Sequence, residues 1–126
     1  MDATPVDKVL GPALLGIVER CGHDVLVLVE HVTRDELMRS RITRAQVQRL
    51  LRSMADSLCG LPRSARDAMP EIDWTAWDRL RVQLNSEPGP AQQEAVWFAC
   101  ESLVGATLLW LRVYRKGQPG LFRMTM

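Results

Sequence analysis

The chain has 126 residues, of which 47% are hydrophobic, a length and composition that suit one folded domain and exclude a disordered chain. Sixteen basic side chains against fifteen acidic ones give a formal net charge of +1, so the overall charge points to no class of partner. The three cysteines lie far apart without zinc-binding spacing, which indicates reduced thiols in a cytoplasmic protein with neither metal nor cofactor.

The first segment, MDATPVDK, is acidic and has no apolar signal-peptide core. The longest apolar runs, at 25–29 and 108–111, are too short to span a membrane, so we expect no membrane association. A first long helix is predicted to open at Gly11 and Pro12, because proline fits the first helical position. Gly22 and His23 fall inside its apolar pattern and predict a bend.

Two further helices follow in the pattern. Thr33 is predicted to cap a short helix, with Glu36 completing a capping box. Thr43 is predicted to cap the next helix, which ends at Gly60 and Pro62. Its apolar residues recur at steps of three and four and predict one buried face: Val47, Leu50, Leu51, Met54, Ala55 and Leu58.

The other face of that helix is basic and carries Arg44, Arg49 and Arg52. Eight arginines against three acids lie between positions 34 and 66, a local excess of positive charge. The basic face is either simply solvated or binds RNA phosphates or an acidic protein.

Asp73 is predicted to cap a helix that runs from Trp74 to about Asn85. Arg81 shares an arc of this helix with four apolar side chains, namely Trp74, Trp77, Leu80 and Leu84. Because an arginine there is costly to bury unless it is paired or lies at a shared surface, we predict Arg81 as a functional or interface residue. The alternative is a structural arginine that pairs with Glu87, with Asp73 or with a backbone carbonyl at the helix end.

The segment Pro88-Gly89-Pro90 ends that helix, and a last helix is predicted from about Ala91 to Arg115. Its apolar and small residues form a seam that packs within the chain or against a second copy: Val96, Ala99, Leu103, Ala106, Trp110 and Val113. A loose tail is expected over 116–126. The chain is therefore predicted to be one domain, 1–126, with an all-α fold, most simply a four-helix up-and-down bundle with a short extra helix.

With these helices placed, three segments resemble the HepT-like branch of the HEPN superfamily. This branch is the toxin half of HepT/MntA toxin–antitoxin pairs. They are PEIDW at 70–74, Leu80-Arg81 in the following helix, and EAVW at 94–97. The resemblance implies a helical homodimer with its catalytic motif near the dimer axis, and metal-independent RNA cleavage by an R-x(4–6)-H motif. It also implies an MntA-like nucleotidyltransferase antitoxin as partner, which modifies a tyrosine just after the histidine.

The sequence departs from the family pattern at the motif itself. Arg81 stands at the motif arginine, whereas Ser86 stands at the histidine and Pro88 at the modified tyrosine. Histidine titrates near neutral pH and moves the protons that RNA cleavage requires, and serine needs a base of its own. The only histidines, His23 and His31, lie in the first helix.

Three functions are considered. The first is a degenerate HepT-like protein that no longer cleaves RNA and acts as a binding or regulatory partner, with Arg44, Arg49, Arg52 and Asn85 contacting RNA or a protein. The second is an active ribonuclease that uses Arg81, with Ser86 in its degenerate motif. The third is a substrate-binding subunit of a nucleotidyltransferase. Loss of both the histidine and the tyrosine favours the first, so we do not expect an enzyme.

Overall fold

The computed structural model describes residues 5–124, with side chains from residue 9 onward. Within that range the α-helices are α1 (Pro5–Val29), α2 (Arg34–Arg39), α3 (Arg41–Cys59), α4 (Arg63–Asp67), α5 (Trp74–Leu84), α6 (Pro90–Phe98) and α7 (Val104–Gly117). A π-helical turn, Ala99–Leu103, joins α6 to α7, and a 3-10 turn spans Pro119–Phe122. No strand occurs among these residues, so the all-α prediction is confirmed.

The four long helical segments contact one another in sequence around one core. Helix α1 packs against α3 and α7, α3 also packs against α5, and α5 packs against α6. The short α2 lies against α3. The core between them contains the predicted face of α3, large side chains from the other helices, including Leu15, Leu37, Trp77 and Leu111, and Met69 from the loop between α4 and α5.

Helix α1 begins earlier than the sequence predicts. Pro5 already lies in the described part of α1, and Pro12, to which the first helical position was assigned, lies inside the helix. Helix α1 continues through Gly22, and the bend there stays a prediction. Gly22 also has a packing role: a Cβ there would lie 2.8 Å from the Leu108 Cδ2 atom of α7, so a larger residue would require the Leu108 side chain to move.

The cap of α2 is as predicted, and the cap of α3 is not. The Thr33 Oγ1 atom accepts from the Glu36 N–H at 3.2 Å, and the Glu36 carboxylate accepts from the Thr33 N–H at 3.1 Å. Helix α3 is capped by Ser40, whose Oγ atom accepts from the Thr43 N–H at 3.3 Å. Because Ser40 ends α2 and caps α3 at once, Thr43 already lies in the first turn of α3.

The predicted seam of the last helix is buried through Leu103. After Leu103, the buried residues lie one position later than predicted. Ala106 and Val113 are exposed and Trp110 is half-buried. The reason is the π-helical turn, which contains one residue more than an α-helical turn and so changes which side of α7 faces the core. The residues of α7 that are buried are Val104, Thr107, Leu111 and Tyr114.

The described part of the tail contains a regular turn that contacts the bundle, and the looseness expected over 116–126 stays a prediction. Helix α7 extends to Gly117, and the 3-10 turn after it packs against α1 and α7. The Arg115 guanidinium lies 4.5 Å from the Phe122 ring centroid, and the Gln118 side chain donates to the Ala68 carbonyl at 3.0 Å. Partial burial of two apolar side chains, Leu121 and Phe122, stabilises this turn. Positions 125 and 126 lie outside the described residues.

The segment Pro90–Gly117, formed by α6, the π turn and α7, is long and apolar enough to cross a membrane. This is weak evidence for a membrane span, because a core helix of a water-soluble protein has the same properties and 39% of its most apolar window is buried. Cytoplasmic location stays a prediction.

Candidate functional site

Helix α5 holds the motif arginine in a defined orientation. The Asp73 carboxylate caps the helix as predicted, accepting from the Ala76 N–H at 3.0 Å. The indole N–H of the fully buried Trp77 donates to the Thr107 hydroxyl of α7 at 2.9 Å. With Leu80 and Leu84 also buried, the rotation of α5 about its axis is set by the core. The side of α5 that borders α3 is therefore set as well.

Arg81 lies at the edge of the apolar arc and not inside it. Its side chain is 50% exposed, and its Nε atom is 2.9 Å from the Asp56 Oδ1 atom of α3, whose side chain is 61% exposed. The partner is therefore Asp56, and neither Glu87 nor Asp73. The hydrogen bond to Asp56 raises the pKa of Arg81, so the guanidinium stays charged.

Two more side-chain contacts join α3 to α5 on either side of this ion pair. The Arg52 guanidinium donates to the Leu84 carbonyl at 2.6 Å, at the carboxyl end of α5. The Cys59 thiol donates to the Asp78 carboxylate at 3.3 Å. Partial burial is the larger cause that raises the pKa of Cys59, and this hydrogen bond is the second. The thiol therefore stays protonated at neutral pH. The junction of α3 and α5 is thus a line of polar contacts around Arg81.

An open depression of about 520 Å³ lies beside this junction and brings together three of the predicted site residues, Arg81, Asn85 and Ser86. The Ser86 hydroxyl donates to the Val82 carbonyl at 2.7 Å, so it satisfies a backbone carbonyl at the end of α5. The Asn85 N–H donates to the Arg81 carbonyl at 3.2 Å, and Asn85 caps α5. Val82 itself is exposed and gives the depression an apolar edge.

The predicted basic residues of α3 do not converge on this depression. The Arg44 guanidinium donates to the Met38 carbonyl, and Arg52 is held by α5 as described. Arg49 is exposed and lies near Cys21 of α1, where its charge opposes the increase in the thiol pKa that burial causes. Of the three arginines, the structure therefore brings only Arg52 to the α3–α5 junction.

The two histidines and the tyrosine do not line this depression. His23 is exposed on α1, and His31 follows the end of α1 with a φ of 61° and lies 3.6 Å from Glu30. Tyr114 is buried, and its hydroxyl donates to the Glu71 carboxylate and accepts from the Glu71 N–H at 3.0 Å. Burial and the carboxylate raise the pKa of Tyr114 to about 12. Tyr114 therefore attaches the PEIDW loop to α7.

Sequence reasoning missed Asp56, Cys59 and Asp78. The available signal was spacing: positions 52, 56 and 59 lie on one side of α3, as do 78 and 81 on α5. Of the four tryptophans, only Trp77 is fully buried. Trp74 is half-buried, with the Arg66 guanidinium 4.8 Å from its ring centroid.

Among the described side chains, from residue 9 to residue 124, no group of three or more His, Cys, Asp or Glu is placed to hold a metal ion. Comparison of the chain with protein-family models, curated proteins and solved structures finds no match. The resemblance to HEPN proteins therefore rests on the sequence motifs alone, and Arg81 with its α3 contacts is the candidate site.

Proposed function

We propose that this chain is a HepT-like HEPN protein that has lost RNA cleavage and acts as a cytoplasmic binding and regulatory partner in a toxin–antitoxin or defence system. One observation carries the proposal. The motif arginine is kept, but its guanidinium is paired with Asp56, and the residue at the histidine position, Ser86, gives its proton to a backbone carbonyl.

The chemistry of RNA cleavage explains why this observation matters. One group must take the proton of the 2′-hydroxyl, and another must protonate the leaving oxygen. Arg81 stays charged throughout and can only bind or stabilise a phosphate. Ser86 has no base among its hydrogen-bond partners, and the Asp56 carboxylate is held by Arg81. Phosphate binding can therefore persist where proton transfer cannot.

The architecture and partners in this proposal are those of the family. The contacts of α1, α3, α5 and the α6–α7 segment support a four-helix up-and-down bundle with α2 as the short extra helix. The protein partners are a second copy of the chain and an MntA-like nucleotidyltransferase. Because Pro88 stands at the modified position and the only tyrosine, Tyr114, is buried, the nucleotidyltransferase would bind the chain without modifying a tyrosine.

The alternative is an active ribonuclease in which the Asp56 carboxylate, 2.9 Å from Arg81, replaces the histidine as the base. Both proposals are tested by incubating the purified protein with labelled tRNA and with single-stranded RNA in EDTA. We expect no cleavage by the parent. Cleavage that disappears in both Arg81→Ala and Asp56→Asn would contradict loss of activity and support the alternative.

A restoration variant sharpens this assay. Ser86→His returns a titratable group to the motif position, and Ser64→His adds the same side chain at an exposed serine of α4 as the matched control. Cleavage by Ser86→His alone would support descent from an active motif. Equal cleavage by both variants would contradict any special role of position 86.

A further inference from the structure

A second open depression, of about 620 Å³, lies where α4 and the loop after it meet the start of α5. Its lining combines basic and aromatic side chains with apolar and acidic ones: Leu61, Arg63, Arg66, Asp67, Pro70 and Trp74. Arginine and tryptophan together offer positive charge and a flat surface, which are the two properties that recognise a planar anion. The proposed function assigns no role to this depression.

Trp74 and Arg66 form an oriented platform in this depression. The indole N–H of Trp74 donates to the Met69 carbonyl at 3.0 Å, which fixes the orientation of the ring. The Arg66 guanidinium lies over that ring, 4.8 Å from its centroid, and both side chains are half-buried. Arg66 makes no ion pair within the described part of the chain. An aromatic ring therefore orients this planar cation, and no carboxylate neutralises it.

Arg63 supplies a second positive charge at the same depression. Its guanidinium lies 4.0 Å from the Asp67 carboxylate, and the two side chains are 94% and 73% exposed. An ion pair this exposed is weak, so Arg63 can exchange Asp67 for a phosphate with little loss. A flat group beside a free cation matches the two parts of one nucleotide, the base and its phosphate.

This depression and the one at Arg81 lie along one side of α5. Trp74 lines the first, and Asp78 and Arg81, at following steps of four and three, line the second. Seven residues of helix span about 10 Å, the length of about three stacked nucleotides. Burial raises the pKa of the Cys59 thiol, and the charges of both Arg81 and Arg66 oppose this increase, so both guanidinium groups are near one thiol. One strand of nucleic acid can therefore reach both depressions.

We propose that the Arg66–Trp74 platform is a second RNA subsite, which binds one unpaired base of a strand whose phosphate is bound at Arg81. The base stacks on the Arg66 guanidinium, and its phosphate contacts Arg63. The RNA is single-stranded, because bases in a duplex already stack on one another and do not reach such a platform. This inference rests on the RNA binding in the proposed function and adds the class of RNA and the subsite.

The chemistry of this surface favours RNA over an acidic protein. Carboxylates of a protein would satisfy the charges of Arg63 and Arg66 but would leave the platform without a planar group to stack on it. Asp78, between the two depressions, repels a phosphate, so the strand places an uncharged base or sugar there. The platform at one end and Arg81 at the other then hold the strand.

The first test separates stacking from charge at Arg66. The dissociation constant of a fluorescent oligouridine of about ten nucleotides is measured by anisotropy in EDTA. Arg66→Lys keeps the charge and removes the planar group, and we expect it to increase the dissociation constant about tenfold, as does Arg66→Gln. Arg79→Lys and Arg79→Gln are the matched controls and should change it little, because Arg79 is exposed on α5 and lines another depression. Circular dichroism should show all four variants folded.

The second test removes the base from the ligand. An oligomer of the same length that has the sugar–phosphate backbone but no bases should bind the parent and Arg66→Lys equally, because nothing is left to stack. Arg66 is the test position because Trp74 also bonds the loop through Met69, so its replacement would disturb the fold. A tenfold difference between parent and Arg66→Lys that persists without bases would overturn stacking.

The outcomes separate this inference from the proposed function. Binding of oligouridine that weakens in Arg81→Ala but not in Arg66→Lys would overturn the subsite and leave the proposed function intact. A parent that binds no oligouridine would overturn the subsite, and binding of polyglutamate in its place would assign the surface to an acidic protein. Binding that depends on Arg66 and is followed by cleavage would support the subsite and contradict the loss of cleavage.

Discussion

Arg81 avoids the cost of burial through its position on the helix. It follows Leu80 by one residue, and the step of about 100° places its guanidinium at the solvent edge of α5. The sequence indicates that this arginine is unusual, but it does not reveal the partner. Asp56 is on another helix, and which carboxylate of α3 faces α5 depends on how the two helices pack. Local pattern therefore identified the residue and missed its contact.

The Arg81–Asp56 pair should contribute little to stability, because both side chains are at least half exposed. We expect Arg81→Leu to change the free energy of unfolding by less than about 1 kcal/mol, and a double-mutant cycle with Asp56→Ala to give a coupling of the same size. Urea denaturation measures both, with Arg79→Leu as the exposed control on α5. A loss above about 3 kcal/mol would mean a buried, structural pair.

Tyr114 should make stability depend on pH at the alkaline end. Its pKa is raised from 10.0 to about 12 in the folded protein, so its contribution is full below about pH 10 and is lost as the pH rises through 12. Tyr114→Phe should lower the free energy of unfolding at pH 7 by about 1–2 kcal/mol, because the Glu71 N–H loses its acceptor. The variant should also lose less stability than the parent between pH 10 and 12. Equal alkaline losses in the two proteins would contradict this role.

At the scale of elements, local signals predicted the caps at Thr33 and Asp73 and the buried face of α3. They did not predict the π turn. The turn changes which side of the helix is buried, and the two packing faces that require this change exist only in the tertiary structure. The sequence does contain a sign of it in retrospect. The buried residues up to Leu103 follow steps of three and four, and so do those that begin at Val104. Each set lies in one half of the segment, before or after the turn.

Removal of the extra residue tests this interpretation. Deletion of Glu101, an exposed residue of the π turn, should convert the turn to regular α-helix and leave both buried faces in place. Deletion of Ala106, exposed in the regular part of α7, should rotate the residues after it out of the core and cost more than about 3 kcal/mol. Urea denaturation and far-ultraviolet circular dichroism compare the two. Equal damage from both deletions would contradict the account of the π turn.

At the scale of the whole molecule, the helix content follows from composition, spacing and breakers, and it is largely readable from sequence. The function is less so. Arg81 and Asn85 meet Ser86 in one depression because they are close in sequence, whereas Arg44 and Arg49 point elsewhere because packing of α3 decides their neighbours. Three arginines of the basic excess, Arg44, Arg49 and Arg52, thus have separate neighbours in the fold.

The central claim is that the protein still binds RNA but does not cleave it. The most direct measurement analyses one sample in two ways. Labelled tRNA is mixed with increasing amounts of protein in EDTA, and each mixture is run on a native gel and on a denaturing gel. The account predicts a retarded complex that weakens in Arg81→Ala, with RNA of full length at every protein concentration. Shortened RNA with the parent and intact RNA with Arg81→Ala would contradict it.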